Sequence, residues 1–165
     1  MPIGGEYVES VRTATADDAE RFLELSGEFV RAMGSARGAS LVPDPGWTVS
    51  DRDFHLGRLA DVLADPGRLA LVGALDEVVT GFALCHVEDL GTLGRRGILD
   101  ACYVEPEARG VGLGRLLMDT VLAWIRDQGC QGVEGVALPG DRGAKNFFET
   151  AGFKARMLTM YRSFD

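Results

Sequence analysis

The sequence has few of the residues that build metal sites, disulfide frameworks or membrane spans. Two histidines and three cysteines occur among 165 residues, and Cys85, Cys102 and Cys130 show no paired spacing. No metal site is therefore expected, and unpaired thiols predict a reducing, cytoplasmic compartment. The N-terminus has no basic segment followed by an apolar core, so no export signal is expected. The apolar run at residues 69–75 is far shorter than the ~18 residues of a transmembrane helix, so no membrane association is expected.

Basic residues are scarce over the first hundred positions. The chain carries 17 Lys+Arg against 25 Asp+Glu, a net charge of −8. The net charge is −4 over residues 1–50, −4 over residues 51–100 and 0 over residues 101–165. This acidity disfavours nucleic acid and anionic membranes as partners. The apolar fraction of 46% is ordinary for a globular protein, and the length predicts a single domain over residues 1–165.

The hydrophobic pattern alternates between the two common periods. Strands are predicted at residues 8–14, 68–75, 78–87, 96–104 and 133–138, and residues 153–164 form a last extended run. Helices are predicted after Thr15, from Ser50 or Asp53 to Pro66, over residues 112–128, and before Gly152. Asp76 and Glu77 join two strands, which indicates a hairpin. The fold class expected from this order is α/β (α+β), a central mixed sheet flanked by helices.

A glycine-rich segment lies between a predicted strand and a predicted helix. It consists of Arg109, Gly110, Val111, Gly112, Leu113, Gly114 and Arg115. Glycines let backbone N–H groups approach a ligand closely, and the start of a helix favours an anion such as a phosphate. The spacing is neither G-x-G-x-x-G nor a P-loop. A tight turn without a ligand is the alternative interpretation.

Two motifs together resemble a known family. Residues 104–117, Val-Glu-Pro-Glu-Ala-Arg-Gly-Val-Gly-Leu-Gly-Arg-Leu-Leu, resemble the acetyl-coenzyme A motif Arg/Gln-x-x-Gly-x-Gly/Ala of the GNAT superfamily of N-acetyltransferases. Residues 144–153, Ala-Lys-Asn-Phe-Phe-Glu-Thr-Ala-Gly-Phe, are similar to that family's short helix ending in Gly-Phe. The resemblance covers residues 99–153. It implies a mostly antiparallel sheet that splays between residues 98–104 and 133–138, with the pantetheine arm of acetyl-CoA in the gap.

The resemblance also assigns roles to the central strand and the loop. The segment from Arg109 to Arg115 would bind the pyrophosphate through its backbone amides. The stretch Cys102, Tyr103 and Val104 would contact the cofactor, with the backbone of Cys102 and Val104 pairing with the pantetheine arm. The amide of Val104 would stabilise negative charge on the thioester carbonyl oxygen.

Two positions depart from the family pattern. Asp141 stands where many members have an asparagine that contacts the cofactor arm; as an aspartate it could instead cap the helix that starts near Arg142. Phe148 stands where many members have a tyrosine whose hydroxyl protonates the departing thiolate. Phenylalanine cannot do this, so either water, another residue or the thiolate itself serves, or catalysis is slow. The Phe148 ring could still bind the cofactor by packing against the pantetheine end. Tyr161 is a candidate for the missing hydroxyl.

Other polar residues are candidates for the acceptor side. Alternation along the strand puts Asp100 on the face of Cys102 and Val104, where it could attract an ammonium group or accept its proton. A hydrogen-bonded strand aspartate is the alternative. His86 is either a base or a packed residue, and Trp47 with its loop either walls the acceptor pocket or anchors the loop. Cys102 is interpreted as a small buried residue rather than an acyl carrier.

The sequence therefore predicts an N-acetyltransferase that moves an acetyl group directly from acetyl-CoA to a primary amine. The resemblance implies that the first two helices, their loop and the central strands build the acceptor site. The acidity of the first hundred residues therefore favours a cationic small molecule, with Glu24, Glu28, Asp44 and Asp100 as candidate contributors. Acetylation of a protein N-terminus or lysine is one alternative. A non-catalytic acyl-CoA-binding module is another, because of Phe148. A homodimer is compatible with the sequence.

Overall fold

The computed structural model describes residues 6–34, 56–158, 160, 162 and 164. Along these residues the helices and strands follow in the order β1 (Glu9–Thr13), α1 (Ala19–Gly34), α2 (Leu56–Ala64), β2 (Arg68–Leu75), β3 (Val78–Asp89), β4 (Arg95–Val104), α3 (Leu113–Asp127), β5 (Val133–Gly135) and α4 (Arg142–Thr150). Ser50 and Asp53, the predicted start of the second helix, lie outside the described residues. No described helix is long and apolar enough to cross a membrane.

The strands form one open sheet in the order β1-β2-β3-β4-β5. The first four are antiparallel to their neighbours, and β5 runs parallel to β4. The predicted hairpin is confirmed: Leu75 pairs with Val78, and Asp76 and Glu77 have φ values of 47° and 69°. Two successive positive φ values are typical of the tight turn whose twist matches that of the strands.

Each face of the sheet has its own core. Helices α1 and α2 cover one face, where Phe22, Leu25 and Phe82 are buried. Helix α3 covers the other face, where Leu117 and Val121 are fully buried. Helices on both faces of the sheet confirm the expected α/β class.

A β-bulge interrupts the pairing of β3 with β4 at Asp100. Leu84 pairs with Ala101 and Cys85 with Leu99, so Asp100 is an extra residue. Leu99 and Cys102 consequently both pack toward α3, although regular alternation would put them on opposite faces. The prediction that Asp100 shares the face of Cys102 and Val104 is therefore wrong. Asp100 bonds instead to His86, which follows Leu84 on the face of α1 and α2.

The strands β4 and β5 separate after a short contact. Pairing begins at Gly97 with Val133 and ends at Leu99 with Gly135. The fifth strand is shorter than the predicted 133–138, and the expected splay opens where it ends. Residues 153–158, predicted as extended, contain no assigned strand.

Candidate functional site

A cavity of about 790 Å³ occupies the gap between β4 and the chain that follows β5. One end is bordered by Arg109, Gly110 and Gly112 of the glycine-rich segment. The other end reaches the α1 face of the sheet, where Asp100 and His86 lie. The cavity therefore joins the predicted anion site to the predicted acceptor side.

The glycine end presents the open N-terminus of α3. Gly110 and Gly112 have φ values of 87° and 99°, which glycine adopts at no steric cost. Gly112 is the N-cap, and no side chain caps the helix there. The first helical bond runs from the Leu116 amide to the Gly112 carbonyl at 3.0 Å, so the preceding amides have no intrahelical acceptor. This geometry fits a phosphate group.

Arg109 anchors the start of this loop to the end of β4. Its Nε donates to the Val104 carbonyl at 2.8 Å, and its guanidinium carbon lies 5.4 Å from the centre of the Tyr103 ring. The Tyr103 side chain lies in the core beside α1, and its hydroxyl donates to Glu28 at 3.2 Å. Arg115, by contrast, is highly exposed and lies 3.7 Å from Asp119.

The backbone of β4 has free directions toward the gap. The Glu105 amide donates to the Thr80 carbonyl on β3 at 2.9 Å. Because hydrogen-bonding directions alternate along an antiparallel strand, Tyr103 also faces β3, whereas the amides of Val104 and Cys102 face the gap. These are the two groups that the family resemblance assigns to the cofactor arm and the thioester.

Asp100 and His86 form a hydrogen-bonded pair at the acceptor end. The distance between His86 Nδ1 and Asp100 Oδ2 is 2.7 Å, and the two side chains are 23% and 22% exposed. The hydrogen bond with Asp100 raises the pKa of His86 above its usual value, although burial opposes this effect. Arg68, the cross-strand partner of His86 on β2, also borders the cavity. The sequence placed both His86 and Arg68 in strands but gave no signal that His86 adjoins Asp100 or that Arg68 borders the same cavity.

The second motif supplies the opposite wall of the gap. Asp141 caps α4, because its carboxylate accepts from the Ala144 amide at 2.9 Å, and it also borders the cavity. The Phe148 ring lies against the backbone of Gly135 at the end of β5, with the Phe153 ring centre at 5.0 Å. Phe148 is thus beside the point where β4 and β5 separate.

Several predicted acceptor residues have other partners or lie elsewhere. Glu24 pairs with Arg21 at 2.9 Å, Glu28 accepts from Tyr103 as described, and neither borders the cavity. Asp44, Trp47 and Tyr161 lie outside the described residues. Burial raises the pKa of the Cys102 thiol to about 12, which disfavours it as a nucleophile. The described residues include no cluster of three metal-ligating side chains.

A sheet that splays beside an open helix N-terminus is the arrangement that the resemblance to the GNAT superfamily implies. Comparison with known proteins agrees with this class. A model of the Acetyltransferase (GNAT) family matches residues 38–153. Aminoglycoside N(6')-acetyltransferase type 1 of Stenotrophomonas maltophilia is 34% identical over 116 residues, 67% of this chain and 76% of that protein. The chain belongs to the GNAT acetyltransferase family and is an acetyl-CoA-dependent N-acyltransferase.

Solved structures share the fold. An aminoglycoside N-acetyltransferase, AAC(6')-Iy in complex with CoA, superposes with a TM-score of 0.72 at 19% identity, over 100% of this chain and 99% of that one. Glucosamine-6-phosphate N-acetyltransferase from Arabidopsis thaliana gives a TM-score of 0.68 at 18% identity, over 96% and 99%. At these identities the likeness concerns the fold alone.

Proposed function

We propose that this protein acetylates the primary amine of a cationic small molecule by direct transfer from acetyl-CoA. The observation that carries the proposal is the position of Asp100, a carboxylate on the acceptor face that borders the same cavity as the glycine-rich segment. A cavity that reaches both sites can bring the two reactants together without a covalent enzyme intermediate.

The cofactor half of the site is supported by backbone geometry. The uncapped amides at the start of α3 are placed to bind the pyrophosphate. The amides of Cys102 and Val104 face the gap, where an extended pantetheine arm can pair with them. The Val104 amide is placed to donate to the carbonyl oxygen as negative charge develops on it. Acetyl-CoA supplies an activated acyl group, and these groups orient it.

The acceptor half rests on fewer acids than the sequence suggested. Glu24 and Glu28 are engaged away from the cavity, so Asp100 carries the argument among the described acids of the first hundred residues. A carboxylate attracts an ammonium group and can accept a proton from it, directly or through water. The relative from Stenotrophomonas maltophilia, which by its name acetylates an aminoglycoside nitrogen, supports a small-molecule amine as substrate.

The test is a panel of cationic, neutral and anionic primary amines, with kcat/KM measured at several ionic strengths. We expect a preference for cations that weakens with salt, because screening acts over about 10 Å at 0.1 M. Asp100→Asn should reduce that preference. Glu20→Gln is the matched control, since Glu20 is exposed on α1 and does not border the cavity. Preference for an anionic amine, or an equal effect of both variants, would contradict the proposal.

A further inference from the structure

His86 lies between two carboxylates, one inside the cavity and one outside it. Its Nδ1 is 2.7 Å from Asp100 Oδ2, and its Nε2 is 3.4 Å from Glu88 Oε1. Asp100 borders the cavity, whereas Glu88 does not. The imidazole therefore connects a carboxylate that can meet the acceptor with one that cannot.

Glu88 is itself fixed by a basic residue. Arg96 donates to Glu88 Oε2 from Nε at 2.8 Å and from Nη2 at 2.7 Å. Arg96 also reaches Glu134 on β5 at 3.1 Å. This arrangement holds the Glu88 carboxylate in position and lowers its pKa, with the Arg96 hydrogen bond as the main cause. Glu88 is consequently ionised over the whole range in which a histidine titrates.

The charged groups around His86 come from three strands. Asp100 approaches from β4, Glu88 is two residues along β3, and Arg68 is the cross-strand neighbour on β2. The parts of α1 that border the cavity there are apolar, namely Phe29, Ala32 and Met33. Two carboxylates thus favour the imidazolium form of His86, and burial of the ring opposes it.

The charge on His86 decides how much of the Asp100 charge an acceptor meets. As imidazolium, His86 compensates the negative charge of Asp100. As neutral imidazole it can still donate its Nδ1 proton to Asp100, but the pair then has a net charge of −1. An acceptor ammonium is attracted by the second state far more than by the first.

We propose that Glu88, acting through His86, sets the pH at which Asp100 becomes available to the ammonium group of the acceptor. This inference rests on the proposed function. His86 and Glu88 are positioning residues in this scheme: neither needs to touch the substrate. The KM for a cationic amine should therefore fall as the pH rises through the titration of His86.

Removing Glu88 should move that midpoint in a known direction. In Glu88→Gln the imidazolium loses one stabilising carboxylate, so both the pKa of His86 and the midpoint of the KM profile should shift down by about 0.2–0.7 pH unit. Glu134→Gln is the matched control, because it removes a carboxylate from the same Arg96 without contact to His86. Asp100→Asn should abolish the pH dependence of KM in this range.

Two measurements separate the possible failures. The pKa of His86 is read by NMR titration, with His55→Gln identifying the resonances of the two histidines. The KM profile is measured with one cationic amine across all variants, so that the ionisation of the amine itself cancels. A midpoint that stays in place in Glu88→Gln, or moves equally in Glu134→Gln, overturns the inference while leaving the proposed function intact. Absence of turnover with every amine contradicts both.

Discussion

The open N-terminus of α3 makes a sharp prediction about CoA affinity. Gly112 has a φ of 99° at the start of the helix, and Gly129 has a φ of 76° just past its end. Alanine at either position forces an L-residue into the left-handed region. The two sites are separated by the 15 residues of the helix, about 22 Å along its axis. Only Gly112 borders the cavity.

The two alanine variants should lose similar amounts of stability but differ in their affinity for CoA. The left-handed conformation costs an alanine about 1–2 kcal/mol, so both variants should lose roughly 2–4 °C of Tm per kcal/mol. Neither new methyl group meets a steric obstacle among the described atoms: the nearest atom to a Gly112 Cβ is Glu9 Oε1 at 3.6 Å, and Gly129 has none within 4 Å. The Gly112→Ala methyl would instead narrow the cavity, which Gly112 borders at the end where the free amides of α3 lie. Loss of one hydrogen bond to a charged phosphate is worth about 1.5–3 kcal/mol, or roughly a 10- to 150-fold weaker Kd.

Calorimetric titration of each folded variant with CoA is the assay, and circular dichroism gives the Tm. We expect Gly112→Ala and Gly129→Ala to be similarly destabilised while only Gly112→Ala binds CoA weakly. Unchanged affinity in Gly112→Ala would refute the assignment of the pyrophosphate to this loop. An equal loss of affinity in Gly129→Ala would show that stability, rather than the loop, controls binding.

Two further predictions concern the leaving group and acid stability. Phe148 borders the cavity, and its ring lies against Gly135 at the end of β5, so Phe148→Tyr should bring a hydroxyl close to the gap. A reference thiol pKa near 8.5 makes unassisted departure tolerable, and the new donor should raise kcat; loss of CoA binding would contradict this placement. The Arg12 hydrogen bonds lower the pKa of Asp18 to about 2. The ionised Asp18 carboxylate therefore stabilises the folded state fully above about pH 4, and this contribution disappears as the pH falls through about 2. Asp18→Asn should therefore lower the free energy of unfolding at pH 7, as measured by urea unfolding. It should also make that free energy depend less on pH between about pH 4 and pH 2, and an unaltered pH dependence would contradict the reasoning.

The parts of the fold that local sequence determines were predictable. The Asp76-Glu77 turn, the period of α3 and the Asp141 cap each depend on residues close together in the chain, and each appears in the structure. Thr15 and Asp18 likewise begin the first helical region, where the Asp18 carboxylate accepts from the Thr15 amide at 2.8 Å. The two motifs were sufficient to identify the family from the sequence, because one specifies a backbone conformation and the other a helix, rather than only a composition.

The acceptor side was less predictable because it depends on pairing between distant strands. A bulge adds one residue to β4 relative to β3, and nothing in the local pattern around Asp100 marks it. The predicted face of Asp100 was therefore wrong. Net charge was also too coarse a measure: Glu24 and Glu28 belong to the acidic half of the chain, but basic and hydroxyl partners hold them away from the cavity.

The bulge at Asp100 has a functional consequence that connects the two halves of the site. Without the extra residue, Asp100 would lie on the same face as Cys102 and Val104, toward α3. With it, Asp100 turns toward α1 and α2 and meets His86, while the Val104 amide, four positions later, still faces the gap. In the proposed function, one strand thus presents a backbone donor for the acyl group and a carboxylate for the amine in different directions. Because β4 is held between β3 and β5 at Gly97–Leu99, the separation of these two groups is fixed by the sheet rather than by a mobile loop. This rigidity is what direct transfer requires, since the reactants must be aligned by groups that do not themselves move.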